Sequence, residues 1–125
     1  MKRLTKVEEE IMQIIWYLGR CTVRDIRDHI KNELGEPEPP HSTVSTIVRI
    51  LEDKAFLGHK AYGRTYEYFS LISQEDYSRQ RLRKLVGDYF GGSMNRLVSF
   101  LVKRDDLSLG ELSELIDKLE EEEEE

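Results

Sequence analysis

Residues 41 to 54, HSTVSTIVRILEDK, divide into two faces when wound at about 100° per residue. Val44, Val48, Leu51 and Ala55 fall on one narrow stripe with Ile47 at its edge, while Ser42, Ser45, Thr46, Arg49 and Asp53 fall opposite. The preceding G-E-P-E-P-P, residues 35 to 40, cannot continue a helix, so this one starts afresh. Helices seldom devote a face to Ser and Thr, which compete with the backbone for hydrogen bonds. The hydroxyl face is therefore directed at solvent or at a partner, and the apolar stripe requires a core made by other elements.

Two helices upstream supply that core. T-K-V-E at Thr5 to Glu8 is a capping box, and Val7, Ile11, Ile14, Ile15 and Leu18 then recur at helical spacing until Gly19. Thr22 caps a second helix with Asp25 in its first turn, striped by Val23, Ile26, Ile30 and Leu34. Downstream, F-L-G-H-K-A and Y-E-Y-F-S-L flank Gly63-Arg64, a two-residue turn of the Gly-X kind. This reads as a β-hairpin with a basic tip, carrying Lys60 and Arg64, and with Tyr62, Tyr66 and Tyr68 packing it onto the helices, the alternative for Tyr62, near the tip, being contact with a sugar-phosphate. Three helices and a hairpin make a winged helix-turn-helix domain, assigned to residues 1–72.

Beyond it the chain turns wholly helical. Ser73 opens a helix with Leu82, Leu85, Val86, Tyr89 and Phe90 as its apolar positions, and Gly91-Gly92 breaks it. Ser93 opens another with Met94, Leu97, Val98, Leu101 and Val102. After Asp105-Asp106, the capping box Ser108 to Glu111 introduces a third, striped by Leu112, Leu115, Ile116 and Leu119. Three short helices of this size bury too little on their own, and interleaving with a second copy completes the core. Residues 73–120 are expected to be a dimerisation module. The fold class is thus mainly α with a small β-hairpin.

The net charge of −6 argues against nucleic acid until it is located. Residues 120 to 125 are six consecutive glutamates, so the remainder balances. Residues 121–125 are assigned as a disordered acidic tail. Between His41 and Tyr66, Arg49, Lys54, Lys60 and Arg64 outnumber Glu52 and Asp53, a local surplus of two before the histidines.

A helix of this shape fits the major groove, where short hydroxyl side chains permit close approach and Arg49 can fork onto guanine or clamp a phosphate. Its N-terminal amides favour phosphate as well. No phosphate-cradling glycine loop, nucleophile elbow or H-E-x-x-H occurs, so an enzyme is not expected. Cys21, His29, His41 and His59 lack ligand-like spacing, and neither metal nor cofactor is expected. A single cysteine, no apolar run of membrane length and no leader pattern fit a cytoplasmic protein that does not enter a membrane. Two other functions suit the same residues, a winged helix that binds protein and a small-molecule-responsive regulator.

L-T-K-V-E-E-E-I-M-Q-I-I-W, H-S-T-V-S-T-I-V-R-I-L-E-D-K-A-F, Y-E-Y and Y-F-G-G-S-M-N-R-L-V-S-F-L-V-K resemble the penicillinase-repressor family of the BlaI/MecI type. That family also includes copper-responsive repressors. The resemblance implies a homodimeric transcriptional repressor on palindromic operators, with Ser42, Thr43, Ser45, Thr46 and Arg49 as its recognition positions. It also implies release through a membrane sensor protease and a cut within the dimerisation helices at an Asn-Phe bond. The matching bond here is Ser99-Phe100, which departs from that pattern. The copper branch carries a C-terminal C-x-C cluster, and this chain has none.

Overall fold

The computed structural model describes residues 3–103 and, beyond them, Ser108, Gly110, Glu111, Ser113, Glu114, Asp117 and Lys118. Its elements are α1 (Lys6–Leu18), α2 (Val23–Asn32), α3 (His41–Asp53), β1 (Leu57–Tyr62), β2 (Thr65–Ser70), α4 (Gln74–Tyr89) and α5 (Met94–Lys103). They form two compact units, Met1–Tyr77 and Ser78–Glu125.

In the first unit, local signals begin the helices. The Thr5 hydroxyl accepts from the Glu8 amide and the Glu8 carboxylate accepts from the Thr5 amide; Thr22 and Asp25 repeat this at α2. The apolar stripes then meet in one core, where Met12, Ile15, Ile26, Val44, Val48, Leu51, Phe56 and Leu57 are almost fully enclosed. β1 and β2 pair antiparallel from Leu57↔Ser70 to Tyr62↔Thr65. Gly63 adopts φ 65°, the left-handed geometry that a tight hairpin turn demands and glycine supplies without strain. Cys21 and Tyr68 exchange both backbone hydrogen bonds, 3.0 and 2.7 Å, and so fasten the hairpin to the loop after α1. The fully buried Cys21 thiol is pushed up to about 12, by burial first and then by Asp25 and Glu67.

Several expectations are corrected. Val7 lies on its predicted stripe yet is 52% exposed, because the stripe is wider than the core that covers it, and Leu34 is 50% exposed because α2 stops at Asn32 and Leu34 falls past its end. Leu18, at the last turn of α1, is exposed as well. Glu8 is buried instead, at 6%, because Lys54 arrives from the end of α3 with its Nζ 2.5 Å from Glu8 Oε1. Ala55 is not part of the α3 stripe. The helix stops at Asp53, and Ala55 takes φ 67° outside it, with its amide donating to Glu52 and the Phe56 amide to Leu51. This Schellman pattern inserts Phe56 into the core where the stripe pointed to Ala55. Of the three hairpin tyrosines only Tyr68 packs inward, and Tyr62 and Tyr66 are exposed.

The start of α4 belongs to the first unit. Ser73 caps it at the Asp76 amide, Gln74 bonds Gln13, the Tyr77 hydroxyl donates to Glu9, and Tyr77 packs on Trp16 and Phe56. Trp16 shares its indole N–H between Ser70 Oγ and the Ile72 carbonyl, at 3.0 and 2.9 Å.

In the second unit, Ser93 caps α5 and Ser108 accepts from the Glu111 amide. Val86 is buried, but Leu82, Leu85, Tyr89, Met94 and Phe100 are exposed, and Leu97, Val98, Leu101 and Val102 are half-buried. Leu112, Leu115, Ile116, Leu119 and the tail 121–125 lie outside the described residues. No described helix is long and apolar enough to cross a membrane.

Candidate nucleic-acid interface

The α3 N-terminus is open. Pro40 stands at its cap position and offers no side-chain hydrogen bond, so the first amides of the helix have no side-chain acceptor there. The Thr43 and Val44 amides donate to the Pro40 carbonyl, which leaves the His41 and Ser42 amides and the positive end of the helix dipole to a phosphate. From this end the exposed face runs through Ser42, half-buried Ser45, Thr46 and Arg49. The Thr46 hydroxyl donates to the Ser42 carbonyl at 2.8 Å, which occupies its proton and leaves its oxygen as an acceptor.

Beside this face is a cleft of about 630 Å³, walled by α3, the start of α2 and the hairpin. Arg24, His41, Arg49 and Arg64 line it together with Ser45 and Tyr66, and no carboxylate does. In a chain of net charge −6, such sorting of charge makes one locally cationic hollow. Arg49 and Arg64 form no ion pair among the described residues, so their guanidinium groups remain available to an outside anion. Arg24 reaches Asp28 only at 4.0 Å, on the surface.

The wing is braced against α3. His59 Nδ1 contacts the Glu52 carboxylate, and the His59 ring stacks on Tyr66 with centroids 4.2 Å apart and planes at 14°. Tyr68, below them, has its hydroxyl pushed above the ordinary value by burial, with Glu52 adding and Arg49 partly offsetting. Glu67 is occupied by Arg20 at 3.6 Å. Lys60 is exposed and lies over the Tyr62 ring at 5.3 Å, forming no ion pair among the described residues.

Of the residues singled out from sequence, Ser45, Arg49 and Arg64 meet in the cleft. Ser42 and Thr46 continue its rim along α3, and Lys60 stands on the hairpin. Thr43 lines a separate hollow with Val44 and Ile47. Lys54, counted with the local positive charge, is consumed by Glu8 and the Arg3 carbonyl. Arg24 and His41 were missed as cleft residues, because the juxtaposition of three elements creates their role and no local pattern marks it.

A sequence model described as "Penicillinase repressor" matches residues 4–121. The chain belongs to the penicillinase repressor family. It is a DNA-binding transcriptional repressor of the BlaI/MecI type, with a winged helix-turn-helix and further C-terminal helices, and not an enzyme. Methicillin resistance regulatory protein MecI of Staphylococcus aureus (strain N315) is 27% identical over 112 residues, spanning 90% of this chain and 89% of that one. The penicillinase repressor of Bacillus licheniformis is 26% identical over 125 residues, spanning 97% and 94%. The complex structure of hsRosR-S4 covers 84% of this chain and 91% of its own, with TM-score 0.54 and 18% identity, a likeness of fold alone.

Proposed function

We propose that the chain represses transcription as a homodimer, each copy setting α3 in the major groove of one operator half-site and its wing on the flanking backbone. The supporting observation is the cleft beside α3 that gathers Arg24, His41, Arg49 and Arg64 without a carboxylate. Ser42, Ser45 and Thr46 give close contact, Arg49 reads a base or holds a phosphate, and Lys60 and Arg64 hold backbone. Thr43 sits in the same first turns and contacts DNA only at the edge of the footprint.

Dimerisation rests on α4 and α5, whose Leu82, Leu85, Tyr89 and Phe100 are exposed in the single chain, with Leu97, Val98 and Leu101 half-covered. A second copy is the partner that buries them. Repression then depends on two weak half-site contacts made strong by linkage. A sensor protease that cuts between residues 94 and 119 disconnects the linkage without touching α3. Ser99-Phe100, the bond selected by resemblance, lies inside α5 with Phe100 against Phe90 at 5.7 Å, so α5 must open locally before cleavage.

A nuclease footprint tests the assembly. Two protected half-sites centred about 10 or about 20 base pairs apart are expected. Mapping fragments by mass after induction beside the cognate sensor tests release; an intact chain that leaves its operator would defeat the cleavage step.

A further inference from the structure

The first unit has a second hollow, of about 520 Å³, between α1, α2, α3 and the loop 35–40. Its floor is Ile11, Ile14, Ile30, Val44 and Ile47. The exposed Val7 and Leu34 line it as well. The volume falls within the range of small-molecule sites, and the composition follows their usual plan of apolar walls with few polar groups.

The wall is fixed. Arg27 donates to the Pro39 carbonyl at 2.9 Å and pairs with Glu38 at 3.4 Å, which holds the proline loop against α2. Beside the polar Gln13, His29 and Thr43, the hollow is lined by two acidic side chains. Among the consecutive glutamates of α1, Glu8 is bound by Lys54 and Glu9 by the Tyr77 hydroxyl, while Glu10 forms no ion pair among the described residues. In the loop, Glu38 has Arg27, but Glu36 is likewise unpaired. Glu10 and Glu36 both line the hollow, and no lysine or arginine does. His29, the remaining titratable group there, packs beside the Tyr17 ring at 5.4 Å.

We propose that this hollow binds a hydrophobic organic cation, its apolar body on Ile11, Ile14, Val44 and Ile47 and its charge facing Glu10 and Glu36. An apolar surface alone accepts any greasy partner. Two unpaired carboxylates on it select a cation, reject an anion and leave a neutral hydrocarbon without electrostatic gain. Because Val44 and Ile47 belong to α3, an occupant touches the inner side of the helix whose outer side bears Arg49. The site does not rest on the DNA reading, and its binding is measured without DNA.

The probes are tetraphenylphosphonium and tetraphenylborate, which share shape and apolar area and differ in charge. Calorimetry of the full chain in sodium buffer should show one tetraphenylphosphonium bound per chain, with tetraphenylborate at least about tenfold weaker. In Glu10→Gln/Glu36→Gln, whose sites are on the surface, the preference for the cation should vanish while circular dichroism is unchanged. Val7→Trp, a substitution at an exposed position, should fill the hollow and weaken both probes. Amide shifts of Val44 and Ile47 should move with the cation. Absence of tetraphenylphosphonium binding, equal affinity for the two probes, or cation binding undiminished in Val7→Trp would each overturn the assignment.

Discussion

Replacing Lys54 with methionine removes the ammonium that neutralises Glu8 at the junction of α1 and α3. The stem keeps its length and apolar contact, so the change isolates the charge. Deleting one partner of a fully buried pair costs about 3–5 kcal/mol. Here the Lys54 side chain keeps 21% exposure, and Glu8 retains the Thr5 amide as donor. Those two facts reduce the expected loss to about 1–3 kcal/mol. For a domain near this size, about 2 kcal/mol lowers Tm by about 8–16 °C. Urea unfolding of both proteins measures it.

The pH profile identifies the cause. Burial pushes the Glu8 carboxyl up, but the Lys54 ammonium and the Thr5 hydrogen bonds outweigh it and hold it below the usual carboxylate range. A carboxyl depressed in the folded state contributes stability above its unfolded pKa, and that contribution is lost as pH falls through the folded one. The gap between wild type and Lys54→Met should therefore be full at about pH 7 and close towards about pH 3. Glu8→Gln, which leaves Lys54 able to reach water, should be milder, and Glu8→Gln/Lys54→Met should recover part of the loss. An equal gap at both pH values would refute the ion pair as its source.

Ala55→Gly should stabilise the first unit by about 0.5–1 kcal/mol, since Ala55 is exposed at φ 67° and glycine adopts that geometry freely; denaturant midpoints decide. Leu101→Asp should yield a monomer with an intact winged helix and poor operator binding, read by sedimentation and gel shift, and a variant that stays dimeric would move the interface elsewhere. Cys21, at about 12, should resist alkylation at about pH 8 until the chain unfolds, because roughly one thiol in ten thousand is ionised there. Arg49→Ala should cost about 1–3 kcal/mol on a specific site if it reads guanine, and equal weakening on every sequence would make it a phosphate contact.

What could be read from the chain alone was what short segments decide. Thr5 with Glu8, Thr22 with Asp25 and the Gly63 turn involve residues within a few positions, so their geometry follows from local hydrogen bonding and steric freedom. The apolar stripe of α3 was equally plain, and the family was legible from it and its flanks. Coverage was not. Periodicity gives the direction of a face but not the area of what lies on it, which is why Val7 pointed to the core and remained outside it, whereas Leu34 left its stripe because α2 ends at Asn32. The burial of Glu8 was hidden for another reason, since its partner is 46 residues away. At the site, Arg49 and Arg64 were visible as charges near a helix and a turn, whereas Arg24 and His41 became relevant only where α2, α3 and the wing converge.

The grip of α3 and the wing on DNA is tested most directly by the salt dependence of binding to a single half-site duplex. Each phosphate held by a cation contributes a slope of about −0.9 in log K against log salt, or about 3.5-fold between about 50 and about 200 mM. Arg64→Ala and Lys60→Ala should each weaken binding on all sequences and flatten the slope by about one unit. Lines that stay parallel and superimposed with wild type would mean that the wing does not touch the duplex, and the placement of the hairpin on DNA would be wrong.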